Sequence, residues 1–141
     1  MGGLGAVLHG APIMTFDLDI VHSQEDKNLN RLVTALMKLK AIYREQPERG
    51  LKPKKENLYS PGHHFLVTKE GLLDILGAIG MGMGYDELID KTDKFKLGSE
   101  MELNILNLKT IIEIKEQLGN EKDKAVLPIL KRTLSEKSKK Q

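Results

Sequence analysis

With 141 residues, 40% of them apolar and 30% charged, the chain has the composition of a globular protein long enough to bury a real core. A net charge of +2 is too small to argue for nucleic acid by itself, and the lack of cysteine excludes disulfides and thiolate metal sites. No apolar run approaches the ~20 residues of a membrane span and the N-terminus lacks the charged and apolar regions of a signal peptide, so one cytoplasmic domain over residues 1–141 is expected.

The chain opens on Gly2-Gly3, followed by Leu4, Val7 and Leu8 at helical spacing and stopped by Gly10-Ala11-Pro12. Glycine at a helix entrance lets phosphate approach N–H groups that lack an intrahelical partner, aided by the helix dipole. The same glycines also suit a plain tight turn. In FDLDIV, Phe16, Leu18 and Ile20 alternate with Asp17, Asp19 and Val21, which predicts a strand with one face in a core. Asp17 and Asp19 then point the same way, roughly 6.5 Å apart along the strand. Carboxylates that close repel, and nothing adjacent in sequence neutralises them. A hard divalent cation such as magnesium is the usual resolution, and a sheet edge with two solvated aspartates is the plainer one.

Ser23 and Asp26 are spaced as a helix N-terminal box, and Leu29, Leu32, Val33, Leu36, Leu39 and Tyr43 mark the apolar face of a helix to about Glu45. This helix is expected to pack on the sheet and carry no chemistry. Residues 46–62, with Pro47, Gly50, Pro53, Pro61, Gly62 and four basic residues, read as a mobile basic loop. Such a loop could guide a polyanion such as tRNA or a nucleotide, although a solvated connector needs fewer assumptions.

His63-His64 precedes a short apolar strand. Adjacent strand residues face opposite ways, so the two cannot easily share a metal and zinc is not expected. In KEGLLDILGAIG, Asp74 stands alone among Leu72, Leu73, Ile75 and Leu76. A carboxylate so flanked is expensive to bury unless it is paired or ligates a cation; otherwise it caps an element or sits at a rim. The run Gly77 to Gly84 is no Walker loop, since no Lys-Ser/Thr follows, and reads as a flexible loop at a site mouth. A short helix over 85–91 and a hairpin around Gly98-Ser99 come next. Asn107 caps a helix closed by Gly119, and Asn120 opens the last one. Lys115 lies on or near the apolar stripe, as a snorkelling lysine or a phosphate contact would. Pro128 should kink or restart the last helix, and the basic tail 131–141 is expected to fray.

The order Gly-Gly, short helix, tight turn, D-x-D resembles the nucleotidyltransferase-fold (polymerase-beta-like) superfamily. The likeness is to its prokaryotic branch of AbiEii-type toxins and other small nucleotidyltransferase-like proteins, whose phrase GG-x-A-x-x-x-HG-x-x-R-x-T-x-D-[IL]-D is matched by Gly2, Gly3, Ala6, His9, Gly10, Thr15, Asp17, Leu18 and Asp19. Ile13 and Met14 fall where many relatives carry arginine. The family also places a strand before the glycines, whereas this chain starts at Met1 directly before them. On that resemblance, either a fragment with a misplaced start or a sheet that has lost a member is expected.

The resemblance implies an α+β fold, a nucleotidyltransferase-like mixed β-sheet flanked by helices. It implies magnesium, in a two-metal site at the fullest, on Asp17, Asp19 and Asp74, with Asp74 as the third catalytic acid on a neighbouring strand. Gly2 and Gly3 would cradle the triphosphate of an NTP such as ATP, and Lys115, Lys122 and Asp123 would face it. The implied reaction is transfer of a nucleotidyl group to a hydroxyl acceptor on tRNA or protein. A toxin–antitoxin setting, with a cognate partner protein, goes with that branch. The rival expectation is a shortened relative that binds nucleotide or protein and no longer turns over.

Overall fold

The computed structural model describes residues 2–11 and 17–139, with only the backbone described at Gly2, Gly3 and Asp17. Pro12, Ile13, Met14, Thr15 and Phe16, invoked above for a turn, a family phrase and a strand face, lie outside the described residues, as do Lys140 and Gln141 of the tail. The protein is mixed α and β with a mixed sheet, and no described helix is long and apolar enough to cross a membrane. The chain divides into two compact units, one of residues 16–86 and one of residues 1–15 with 87–141.

The first unit is built on four strands, β1 (Asp17–Val21), β2 (Ile42–Tyr43), β3 (His63–Thr68) and β4 (Gly71–Leu76), in the order β1-β4-β3-β2. β1 runs parallel to β4, while β4, β3 and β2 are antiparallel neighbours. Helix α2 (Asp26–Lys38) supplies Leu29 and Leu36 to a core shared with Leu58, Leu66, Leu73 and Ile75. On β3 the residues of that face, His64 and Leu66, are buried, whereas Phe65 and Val67 on the other are half-covered. β1 is an edge strand, and Leu18 and Ile20 remain 39% and 36% exposed where the alternation predicts a core face.

Several local expectations need correction. No side chain caps α2; the Ser23 hydroxyl accepts instead from the Glu25 N–H. The helix stops at Lys38, not near Glu45. Lys40 takes a left-handed φ of 55°, its N–H bonds the Met37 carbonyl, and the Ala41 N–H bonds that of Leu36. This is the Schellman closure, here with lysine where glycine is usual. The chain past it is free to form β2, so Tyr43 matches the helical period without belonging to the helix. Residues 46–62 form a shaped connection, with a 3-10 turn at Pro47–Arg49 and a short helix α3 (Lys55–Leu58) anchored by the fully buried Leu58.

The glycine-rich run also has more structure than a flexible loop, since β5 (Ala78–Ile79) pairs with β6 (Met83–Gly84). Gly77, before it, packs on backbone. A Cβ there would stand 2.6 Å from Pro61 Cα and closer still to the Ser60 carbonyl oxygen. Gly77→Ala is therefore expected to lower stability by about 2–3 kcal/mol, as overpacking does when backbone must yield. The check is a lower urea midpoint at an unchanged m-value.

The second unit contains α1 (Gly2–Leu8), the hairpin β7 (Thr92–Leu97) and β8 (Met101–Leu106), α5 (Leu108–Leu118) and α6 (Glu121–Lys139). The short helix α4 (Tyr85–Leu88) spans the boundary between the units in sequence. Gly5 lets α1 lie close to β8 and α5, where a Cβ would meet Ile105 and Ile111 side chains at 3.3 Å. The Asn107 side chain accepts from the Thr110 N–H at 2.8 Å and Gly119 closes α5 with φ 60°, as the sequence predicts. α6 runs through Pro128 without a break and continues to Lys139, so the tail does not fray at 131. Leu130 and Thr133 are buried along it, and Lys137 Nζ reaches His9 Nδ1 at 2.6 Å.

Candidate metal centre

The register of the first unit brings two acids together. Asp19 on β1 stands directly across from Asp74 on β4, and Asp17 across from Leu72. Partners in register on parallel neighbours lie on one face of the sheet, with strands about 4.8 Å apart. Asp19 and Asp74 thus share a face although far apart in sequence. Asp74 is buried, while Asp19 is half-buried and has an interaction of its own. For Asp17 the strand position alone is described.

The charge on Asp74 is answered by a residue that the sequence reading assigned to an inert helix. Arg44 Nη1 lies 2.9 Å from Asp74 Oδ1. Its backbone N–H bonds the Phe65 carbonyl, extending the β2–β3 ladder by one residue, and its guanidinium sits 5.1 Å over the Phe65 ring. Phe65 is itself the register partner of Asp74. Ion pairing and cation–π contact thus fix Arg44 from two sides. Neither Arg44 Nη1 nor Asp74 Oδ1 makes a hydrogen bond among the described residues, so alignment at this short distance is poor. The sequence signal for Arg44 is thin: Ile42 and Arg44 flank Tyr43 with strand alternation just before Pro47.

A hard-oxygen donor pair on one face, with a buried Asp74 oxygen that Arg44 approaches without a hydrogen bond, fits a magnesium-type cation. Asp19 and Asp74 would hold it, and Asp17 is the next acid along the same strand. Among the described residues no three His, Cys, Asp or Glu side chains gather closely enough to hold an ion, a set that leaves out the Asp17 side chain.

The remaining expected site residues belong to the second unit. Gly2 and Gly3 form the first turn of α1, a helix of seven residues. Lys115 and Asp123 bond each other at 2.8 Å, both largely buried, so each answers the other's charge. Asp123 also takes its N–H to the Asn120 side chain at the start of α6. Lys122 is exposed and makes no ion pair among the described residues.

Two histidines of the first unit do structural work. His22 contacts the Leu58 carbonyl through Nε2 at 2.8 Å and the Leu76 carbonyl through Nδ1 at 3.2 Å, tying α3 to the sheet. His63 and His64 face opposite ways: His63 is exposed, while His64 is buried and bonded through Nδ1 to the Tyr43 hydroxyl at 2.9 Å. Burial, followed by the neighbouring His22 and His63, holds the His64 pKa below its ordinary 6.5. Its proton is then bound more weakly in the folded than in the unfolded chain. Its contribution to stability is complete above pH 6.5 and falls as pH drops towards the lowered folded value. Melting temperature measured from pH 7.5 to 5 is expected to decline, less steeply in His64→Gln than in wild type.

Compared with protein-family models and with curated proteins, the sequence matches none.

Proposed function

We propose that residues 16–86 carry the metal centre of a magnesium-dependent nucleotidyltransferase, on a nucleotidyltransferase-like sheet. The observation that supports this most is the in-register pairing of Asp19 with Asp74 on adjacent parallel strands. Asp17, Asp19 and Asp74 would hold magnesium, whose charge would offset that developing on a triphosphate. Asp74 would also orient or accept the proton of the acceptor hydroxyl. The resemblance supplies the rest of the proposal: an NTP donor, a tRNA or protein acceptor, and a toxin–antitoxin partner. Gly2, Gly3, Lys115, Lys122 and Asp123 enter the nucleotide proposal through the resemblance alone.

A second reading has its own support. Asp74 is already neutralised by Arg44, as it would be in a relative that binds nucleotide or protein without turnover. Incubation with each labelled NTP, magnesium and bulk tRNA or lysate separates the two. Label transfer that EDTA and Asp17→Ala abolish supports the enzyme. Saturable NTP binding without transfer supports the silent module, and absence of both removes the nucleotide reading altogether.

A further inference from the structure

A guanidinium and a divalent cation at Asp74 are positive charges that compete for one carboxylate. Asp74 Oδ1 is buried, in a side chain only 10% exposed, and its nearest charge is Arg44 Nη1 at 2.9 Å. A well-aligned two-pronged arginine–carboxylate fork is hard to displace. This contact is short but unaligned, without a hydrogen bond at either atom. Arg44 is 29% exposed as a side chain and has a second support in the Phe65 ring, while its Nη1 is itself buried and must turn towards the exposed part of the side chain when Asp74 is surrendered. The carboxylate, set between Leu73 and Ile75, cannot do without a counter-charge.

We propose that Arg44 stands in for the metal. It neutralises Asp74 when no cation is bound and surrenders the carboxylate when one enters, so that metal binding is an exchange. The inference rests on the reading of Asp19 and Asp74 as metal ligands. It fixes a sign that separates it from a supporting role: an arginine that merely propped the site would weaken metal binding when removed, whereas a competitor strengthens it.

The test is Mn2+ titration of the full chain, followed by the electron paramagnetic resonance of free Mn2+. Arg44→Gln is expected to bind Mn2+ about tenfold more tightly than wild type, the scale of one removed neighbouring charge. Arg44→Lys, which keeps the charge, is expected to bind no more tightly than wild type. Equal or weaker binding by Arg44→Gln, with wild-type binding still sensitive to Asp19→Asn, overturns the exchange and leaves the metal centre standing. No saturable binding in wild type or in Arg44→Gln overturns both. Because the glutamine variant leaves a buried carboxylate unpaired, the wild-type protein gives an independent readout. The Arg44 side-chain N–H resonance, displaced by the Phe65 ring current, should move as Mg2+ saturates the protein. A resonance that stays in place at saturation overturns the exchange.

Discussion

Asparagine in place of Asp19 is expected to lower magnesium-dependent label transfer by about 10²–10³-fold, the cost of removing one electrostatic contact to a transition state. Each tenfold corresponds to about 1.4 kcal/mol of barrier, so the loss asked of this carboxylate is some 3–4 kcal/mol. The substitution keeps shape and removes charge. Asp19 sits on an edge strand and is half-buried, so its neutral analogue should keep β1 paired to β4. Single-turnover transfer reads the rate, and circular dichroism with a thermal melt reads the fold. A variant that melts like wild type and transfers at the wild-type rate removes Asp19 from the chemistry.

A stability effect as large as that at Gly77 is expected at Arg44. Removing one partner of a buried ion pair costs about 3–5 kcal/mol, because the other charge is left uncompensated. Arg44 is 29% exposed and water can partly replace it, which brings the expectation for Arg44→Ala down to about 2–3 kcal/mol. Loss of the guanidinium over Phe65 is part of that figure. The double variant Arg44→Met, Asp74→Leu removes both charges and should recover most of the loss, since apolar replacements of buried pairs are often neutral. Urea unfolding of the two variants measures this. Equal destabilisation in both would mean that the damage comes from packing and not from a stranded carboxylate.

How far these residues could be read beforehand depends on the range of the forces that place them. The strand around Asp17 and Asp19, the cap at Asn107 and the closure at Gly119 are set by neighbours a few residues away, and the sequence shows them. Asp74 was legible as an anomaly, an acid among aliphatics, although its register with Asp19 depends on a sheet assembled from distant segments. Arg44 was not legible. Tyr43 continues the helical period past the point where Lys40 turns the backbone left-handed, and lysine gives none of the warning that glycine would. The end of α6 departs from its local pattern for a related reason. A run of lysines looks solvated, yet Lys137 is held by the buried His9, far away in the chain. The Lys115–Asp123 pair likewise exists because α5 and α6 pack together, a contact that no local pattern announces.

The central claim is that Asp19 and Asp74 bind a common cation. Crystals grown with Mn2+ and a non-hydrolysable nucleoside triphosphate test it through the anomalous signal of the metal. The account predicts an anomalous peak within coordination distance, about 2.0–2.6 Å, of carboxylate oxygens from both residues, with Arg44 withdrawn from Asp74. A peak elsewhere, with Arg44 still on the carboxylate, would contradict it.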